Sequence, residues 1–195
     1  MDARFLLETP RDRMVEAAVA GMRASGLAGA GINQVIAASG APKGSLYHYF
    51  PGGKLQLAQE ALEHFGQERC RALESALAGA APPDQKIKRL FGALAKGLVR
   101  EDFRLGCAVA GVSLDLDDDA AALAPVCAAQ LALWADTIAA ALLPLAPARR
   151  LALGRFTVTA FEGALVQARA LRSAEPVLEA GELVAGLVRH ELETS

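Results

Sequence analysis

The feature of this sequence that most limits its fold is the spacing of its apolar residues, which follows the helical period almost throughout. Within residues 14–22, apolar side chains recur three and four positions apart, which places them on one face of a helix. Glycine and proline interrupt the pattern between segments, and no segment alternates apolar and polar residues as a half-buried strand would. Hydrophobic residues make up 53% of the 195 positions and aromatic residues 5%, a balance that suits packed helices. The sequence therefore predicts an all-α fold.

Capping residues predict where the helices begin and end. Residues 9–12 combine an N-cap threonine, a proline at the first helical position and an acidic residue three past the cap, so a helix should run from here to about Gly26. Two short helices should flank a turn at residues 39–42, where Gly40 supplies a left-handed stop. The helices expected after the first cover about residues 32–38, 43–50, 54–77, 84–100, 106–114, 147–171 and 176–190. One more helix should begin at the acidic turn of residues 115–119 and run to residue 141.

The cysteines and termini exclude several classes of protein. Cys70, Cys107 and Cys127 are odd in number, form no CxxC pair and have no histidine at ligand spacing, so no metal or other cofactor is expected. Reduced, buried thiols are the expected state, and a redox-sensing Cys107 near Arg104 is the alternative. No secretory signal and no uninterrupted run of about 18 apolar residues is present, which indicates a cytoplasmic protein without a membrane span.

Charge divides the chain into two parts. Residues 1–54 carry six Lys and Arg against four Asp and Glu, whereas residues 55–195 carry fourteen against eighteen. A basic head on an acidic body favours phosphate contacts at one end only. We therefore predict an N-terminal domain over 1–54 and a helical domain over 55–195.

The two short helices have the arrangement that a helix-turn-helix requires. Ile32, Val35 and Ile36 give the first helix an apolar face, and Leu46 and Phe50 anchor the second to the core one turn apart. In such motifs the second helix enters the major groove of DNA. The residues left facing outward or sideways are Lys43, Gly44, Ser45, Tyr47, His48 and Tyr49, which suit phosphate, sugar and base-edge contacts.

Residues 40–50, Gly-Ala-Pro-Lys-Gly-Ser-Leu-Tyr-His-Tyr-Phe, followed by Lys54, resemble the recognition segment of the TetR family of repressors. The resemblance covers about residues 10–60 and implies a three-helix DNA-binding head, with a C-terminal helical domain for ligand binding and dimerisation. It implies DNA contacts at Ser45, Tyr47, His48 and Tyr49. Asn33 and Lys43 lie at positions that family members often use for contacts. Lys54 is expected to bind a phosphate, aided by the positive end of its helix.

Two positions depart from the family pattern. Gly31 replaces the threonine that usually opens the first helix of the motif, so a cap or phosphate contact is missing there. Residues 51–53 contain one extra residue before Lys54. A drug- and flavonoid-responsive subgroup of the TetR family has sequences similar to three segments of this chain, residues 51–54, 162–165 and 169–176. The alternative for 43–50 is an ordinary surface helix, and for Asn33 and Lys54 ordinary solvated side chains.

The resemblance also implies a homodimer formed through about residues 148–171 and 176–190, where small and apolar residues alternate. The alternative is that these stripes fill only the core of each monomer. Between head and interface, the middle helices should enclose an apolar pocket with few polar groups. The candidate ligand-binding residues are His64, Phe91, Phe103, Gln130, Trp134, Phe156, Phe161 and Gln167, with plain core packing as the alternative for each.

Together these features predict a ligand-responsive repressor that binds a palindromic, double-stranded operator as a dimer and is released by a small, mostly apolar effector. One rival is an α-helical enzyme, but the chain has only three histidines, and its acidic cluster at 115–119 suits a helix N-terminus. A second rival is a DNA-binding protein that responds to a protein partner or to cysteine oxidation instead of a small molecule.

Overall fold

A computed structural model describes residues 9–42 and 44–194, and within these the chain is all α-helical with no strand. The all-α prediction is confirmed. Two short 3-10 helices, Gly26–Ala30 and Ala121–Leu123, accompany the α-helices. The α-helices are α1 Pro10–Ser25, α2 Ile32–Ser39, α3 Ser45–Tyr49, α4 Gly53–Leu77, α5 Pro83–Arg100, α6 Ala108–Leu114, α7 Ala124–Ala140, α8 Pro147–Leu171 and α9 Glu175–Thr194.

The capping box predicted for α1 is present. The Thr9 hydroxyl oxygen accepts a hydrogen bond from the backbone N–H of Asp12 at 3.2 Å, and the Thr9 backbone N–H donates to Asp12 Oδ2 at 3.1 Å. These two bonds satisfy backbone donors that the first turn of a helix otherwise leaves unpaired. The bonds from Thr9 also hold the pKa of the Asp12 carboxyl below its usual value.

Three helix boundaries differ from the predicted ones. The third helix begins at Ser45 because Gly44 takes a left-handed conformation, with φ of 94°, and cannot be a helical residue. The seventh begins at Ala124 and not in the acidic turn, because the Asp117 carboxylate accepts from the backbone N–H of Ala120 at 2.9 Å and holds a non-helical turn. The last helix continues beyond residue 190, to Thr194.

The described residues form two compact units, each built from separate stretches of sequence. The N-terminal unit comprises residues 9–66 and Cys107–Gln130, and the C-terminal unit comprises Gln67–Gly106 and residues 131–194. Helices α4 and α7 begin in the first unit and continue into the second. The first unit extends past residue 54, since it includes the start of α4 and also α6, which packs against α1. The division of DNA binding and ligand binding at residue 54 stays a prediction.

Close backbone contacts organise the N-terminal unit. A Cβ atom on Gly21 of α1 would lie 2.0 Å from the carbonyl oxygen of Gly29, so only glycine lets the 3-10 helix approach α1 this closely. The Asp115 carboxylate, at the end of α6, accepts from the backbone N–H of Leu27 at 2.8 Å. The core contains the fully buried side chains of Met14, Met22, Val35, Leu46, Phe50, Leu57 and Leu62.

In the C-terminal unit, α9 packs against both α5 and α8. Gly181 allows the approach of α5, since a Cβ atom there would lie 2.6 Å from Cβ of Phe91. The rings of Phe91 and Phe161 meet edge to face with centroids 6.3 Å apart. Gly154 lets α8 approach α7 in the same way, because its Cβ would lie 2.3 Å from the carbonyl oxygen of Ala135. Glycines thus allow α8 and α9 to approach their neighbours closely in this unit.

One helical stretch in the described part of the chain, Ala121–Ala140, is long and apolar enough to cross a membrane. Length and composition are the whole of this evidence, and helices of soluble proteins meet the same criterion. A single stretch of this kind does not by itself indicate a membrane protein.

Candidate nucleic-acid interface

The turn between α2 and α3 is held from both sides. Gly40 ends α2 with φ of 64°, the left-handed conformation predicted for it. The backbone N–H of Ala41 donates to the hydroxyl of buried Ser39 at 3.4 Å, and Arg13 of α1 donates from Nε to the Ser39 carbonyl oxygen at 3.0 Å. These two hydrogen bonds tie the end of α2 and the turn to α1.

Two buried side chains anchor the five-residue helix α3, as predicted. Leu46 and Phe50 are fully buried in the core of the N-terminal unit. The Arg11 guanidinium lies 5.2 Å from the centroid of the Phe50 ring and also forms an ion pair with Glu60 of α4. The sequence did not reveal this contribution of Arg11, because its partners lie far away along the chain and no periodic pattern links them.

The remaining side chains of α3 face outward. Tyr47 is 60% exposed, His48 is exposed and Tyr49 is half-buried, and the rings of His48 and Tyr49 meet edge to face at 5.0 Å. The Ser45 hydroxyl donates to the carbonyl oxygen of Pro42 at 2.7 Å, which leaves its oxygen available as an acceptor. Lys43, the other predicted contact residue of this segment, lies outside the described residues.

Gly44 has a conformational role in addition to the one that the sequence suggested. We expected a glycine there because it lets DNA approach the backbone closely. In the structure Gly44 is the N-cap of α3 with φ of 94°, and a Cβ atom built on it would meet nothing within 4 Å. The backbone conformation alone therefore already favours glycine at this position.

The starts of α2 and α4 carry the other two predicted contact residues. Asn33 is exposed in the first turn of α2, and Gly31 before it makes no side-chain cap, as its departure from the family pattern implies. Lys54 is half-buried as the second residue of α4. Gln56 caps this helix, accepting from the backbone N–H of Gly52 at 2.8 Å. Sequence analysis did not identify the Gln56 cap.

Of the eight predicted ligand-binding residues, two belong to the N-terminal unit and six to the C-terminal unit. His64 and Gln130 belong to the N-terminal unit, where His64 Nε2 lies 2.8 Å from Glu16 Oε1 of α1. In the C-terminal unit, Phe91 and Trp134 are buried, and Phe103 and Phe161 are half-buried.

Phe156 and Gln167 are exposed on α8 and do not line the interior of the C-terminal unit. This exposure disagrees with the predicted roles of Phe156 as a pocket wall and of Gln167 as a polar anchor of the pocket. The inward face of α8 is occupied by Leu153, Thr157 and Leu165, and residues 156 and 167 lie outside that face.

Two family descriptions match the sequence. That of bacterial regulatory proteins of the tetR family matches residues 14–61, and that of the LmrA/YxaF-like transcriptional regulator C-terminal domain matches residues 83–183. The first match contains the turn, the anchors and the outward side chains of α3 described above. Both descriptions are of transcriptional regulators.

Similar proteins agree with these matches. The uncharacterized HTH-type transcriptional regulator Rv0196 of Mycobacterium tuberculosis is 34% identical over 178 residues, which cover 88% of this chain and 90% of the relative. The crystal structure of regulatory protein TetR from Rhodobacter sphaeroides has a TM-score of 0.79 at 21% identity, covering 91% of this chain and 98% of that one. A cysteine mutant of the TetR-family regulator CifR, in complex with a 26-base-pair operator, has a TM-score of 0.77 at 22% identity, covering 90% and 95%.

These relatives are regulators and not enzymes, so the enzyme alternative is set aside. The helix-turn-helix at the N-terminus, the helical C-terminal domain and the relatives over nearly the whole length support one assignment. The chain belongs to the TetR family of bacterial transcriptional regulators.

Proposed function

We propose that this protein is a cytoplasmic, ligand-responsive repressor that binds a palindromic operator as a homodimer and is released by a small, mostly apolar effector. The observation that carries the DNA-binding part is the construction of α3. Two fully buried anchors, Leu46 and Phe50, fix a helix whose other side chains include the exposed rings of Tyr47 and His48. Folding alone does not account for exposed polar aromatics, whereas phosphate and base contacts do.

Within the N-terminal unit, each predicted contact residue has a chemically suitable role. Tyr47 and Tyr49 would donate hydroxyl hydrogen bonds to phosphates, and Ser45, whose hydroxyl proton is donated to Pro42, would accept a hydrogen bond at a base edge. Lys54, in the first turn of α4, would bind a phosphate together with the positive end of that helix. The proposed DNA-binding residues are Asn33, Lys43, Gly44, Ser45, Tyr47, His48, Tyr49 and Lys54.

The homodimer is proposed from an apolar surface on α8 that the monomer leaves uncovered. Exposed or half-buried small and apolar residues recur along this helix at alternating intervals of four and three, the spacing of a helix-packing seam. We call this surface the α8 stripe, and its members are Ala152, Phe156, Thr159, Gly163, Val166 and Ala170.

Helix α9 adds the exposed side chains of Leu178 and Leu183, at 49% and 76% exposure. Apolar side chains exposed together on two long helices mark an interaction site rather than a solvated surface. A second copy presenting the same two helices would cover them in a symmetric four-helix arrangement. Two heads in such a dimer would read two half-sites of a palindrome.

The effector site is proposed in the C-terminal unit, where four of the predicted aromatic residues are buried or half-buried. Phe91 and Phe161 already stack edge to face, and Phe103 and Trp134 are the other two candidates. Phe156 is reassigned to the α8 stripe, and exposed Gln167 is no longer proposed as a ligand-binding residue. A coupling of about 1–3 kcal/mol between effector and operator is typical and requires different effector affinity in the two states.

Operator titration of Tyr47→Ala and Lys54→Ala tests the DNA-binding proposal. A labelled duplex from the promoter region of the protein's own gene would be titrated with each protein at several salt concentrations, and binding would be followed by fluorescence anisotropy. Tyr47→Ala should weaken binding about tenfold or more, and Lys54→Ala should reduce the salt slope by about one, because one phosphate contact is lost.

Lys96→Ala, which removes an exposed lysine from α5, is the matched control and should leave the salt slope unchanged. Circular dichroism checks that each variant is folded. Wild-type affinity and wild-type salt slope in both head variants would refute the proposed interface.

Redox sensing at Cys107 receives little support from its surroundings. The Cys107 side chain is 8% exposed, and its sulfur accepts from the backbone N–H of Ala110 at 3.4 Å as the N-cap of α6. Burial also raises the pKa of the Cys127 thiol, which reduces its thiolate fraction at neutral pH. Cys107→Ser should therefore leave operator binding under peroxide the same as in wild type, and a lost peroxide response would favour the redox alternative.

A further inference from the structure

Two helix ends in the C-terminal unit have an unusual backbone. Among the described residues, a left-handed conformation occurs outside glycine at Asp102, Phe103 and Arg172, with φ of 51°, 56° and 51°. Asp102 and Phe103 follow the end of α5, and Arg172 is the C-cap of α8. Glycine usually occupies such positions after a helix, and Asp adopts them more easily than Phe or Arg. The two turns are therefore strained by their own side chains.

A carboxylate placed between two arginines joins these turns. Arg172 Nη2 donates to Asp102 Oδ1 at 2.6 Å, and Arg104 Nε donates to Asp102 Oδ2 at 3.2 Å. Arg169 Nη2 donates to the backbone carbonyl oxygen of Arg104 at 3.2 Å. One carboxylate thus holds two guanidinium groups, and a third lies against the same turn. We call residues 100–104 and 169–172 the α5–α8 corner.

Folding stability does not account for this arrangement. The side chains of Asp102, Arg104 and Arg172 are 54%, 77% and 59% exposed. Ion pairs this exposed add little to stability, less than a left-handed backbone costs at a residue other than glycine. The Asp102 carboxylate also lies at the C-terminus of α5, where the helix dipole disfavours a negative charge. Backbone strain that the fold does not need is typical of functional sites.

The α5–α8 corner is basic, although the body of the protein is acidic. It contains four arginines and two acidic residues, whereas residues 55–195 contain fourteen Lys and Arg against eighteen Asp and Glu. A guanidinium group has five N–H donors, and Arg104 and Arg172 each give one of them to Asp102. Further donors of both groups can therefore bind an anion at this exposed surface.

Apolar side chains border the arginines of the corner. Leu171, adjacent to the C-cap of α8, is 67% exposed. Val99, whose carbonyl oxygen accepts from the backbone N–H of Asp102 at 3.1 Å, is 56% exposed. Phe103 follows Asp102 in the chain and is half-buried. Cationic donors beside exposed apolar groups suit a ligand that has both an acidic group and an apolar body.

We propose that Arg104 and Arg172 bind the carboxylate of the effector, whose apolar body lies against Phe103 and Leu171. Asp102 is then a positioning residue that holds the two guanidinium groups beside the same anion. The planar fork of arginine matches the two oxygens of a carboxylate, and a neutral amide offers it only one acceptor oxygen. The inference rests on the proposed function, in which Phe103 is a candidate effector residue, and adds that the mostly apolar effector is an organic acid.

Binding of four model compounds tests the preference for a carboxylate. Octanoate and cinnamate carry the acid on an aliphatic and an aromatic body, and octanamide and cinnamamide are their neutral counterparts. Isothermal titration calorimetry on the full chain should show at least one acid binding about tenfold or more tightly than its amide, because charge-assisted hydrogen bonds are the strong ones. Equal affinity of acid and amide in both pairs, or no binding of any of the four, would overturn the inference.

Arg172→Gly separates binding from folding, because it removes a guanidinium group and also relieves the left-handed backbone. Its melting temperature should fall by no more than about 3 °C, whereas its affinity for the bound acid should fall about tenfold or more. Arg104→Ala should weaken acid binding to a similar extent. Arg89→Ala is the matched control and should bind the acid like wild type, since Arg89 is an exposed arginine nearer the start of α5 that donates to the carbonyl oxygen of Ala78.

Wild-type acid affinity in both Arg104→Ala and Arg172→Gly would refute the assignment of these two residues. A larger fall in the melting temperature of Arg172→Gly would also count against it, because the ion pair would then be explained by folding alone. Calorimetry with the acids requires no DNA. A wild-type protein that fails to bind its operator would therefore contradict the proposed function and leave the test of the α5–α8 corner intact.

Discussion

The outer face of α3 and the α8 stripe both leave large side chains exposed, but they differ in chemistry and in length. Helix α3 has five residues and exposes Tyr47 and His48, whose rings carry hydrogen-bonding atoms. Helix α8 has 25 residues and exposes Phe156 and Val166, which carry none. The first surface suits a hydrated, charged partner, and the second suits a dry one.

The two surfaces also obtain their rigidity differently. The short helix α3 is too short to be stable by itself, so buried Leu46 and Phe50 and the cation–π contact of Arg11 hold it in place. The long helix α8 is supported along its length by α9, and its outer face is free of such anchors. The chemistry of exposed side chains therefore indicates which partner a surface binds. The buried anchors beneath the surface indicate how accurately its side chains must be positioned against that partner.

Disrupting the α8 stripe should give the largest effect. Val166→Glu with Leu183→Glu places two charges on the proposed interface, and analytical ultracentrifugation should show a monomer. Operator affinity should fall about 100-fold or more, because a single head engages one half-site. Val99→Glu, at another exposed apolar position on α5, should remain dimeric. A dimeric double variant would show that the two surfaces do not differ in partner as proposed.

Adjacent residues of α3 should separate folding from binding. Leu46→Ala should lower the free energy of unfolding by about 2–5 kcal/mol, because it removes a fully buried side chain. Tyr47→Ala should change that free energy by less than about 0.5 kcal/mol, because the ring is largely exposed. Urea denaturation measures both. Equal losses would show that Tyr47 contributes to the core and weaken its proposed role at DNA.

Alanine substitutions at two glycines with open surroundings should change the folding free energy in opposite directions. A Cβ atom at Gly44 or at Gly163 would meet nothing within 4 Å, but only Gly44 has a positive φ. Gly44→Ala should cost about 1–2 kcal/mol of folding free energy through backbone strain. Gly163→Ala should stabilise α8 by up to about 1 kcal/mol. If the two copies pack closely at the α8 stripe, the same substitution should also raise the dissociation constant of the dimer. A stabilising Gly44→Ala would contradict the conformational role of this residue.

The smallest expected effect concerns acid and the start of α1. Because the folded state lowers the pKa of Asp12, its ionised form stabilises the fold at pH values above the unfolded pKa, and this stabilisation is lost as the pH falls through the folded pKa, below about pH 4. The loss should stay under about 1 kcal/mol, since Asp12 is exposed. Thermal melting of wild type and Asp12→Asn between pH 3 and pH 6 measures it, and the variant should lack this part of the pH dependence.

The local parts of this fold could be predicted from the sequence. The capping box of Thr9 and Asp12, the left-handed Gly40 and the anchors Leu46 and Phe50 were all predicted, and the structure confirms them. Each depends on residues within one or two turns of each other, whose contacts are fixed by the helical period. The helical character of the chain and the resemblance to the TetR family follow from the same short-range information.

Contacts between distant residues required the tertiary structure. Phe156 was predicted to line a pocket because ligand pockets are largely apolar, but the packing of α8 leaves its side chain exposed. The contact of Arg11 with the Phe50 ring and the contact of the Gln130 side chain with Gly66 join residues that lie far apart in the sequence, so the helical period does not predict them. The sequence by itself determined which helices form and which family they belong to, since these depend on neighbouring residues. Only the tertiary structure decided which face of each helix is buried against which neighbour, because that depends on all the helices packing at once.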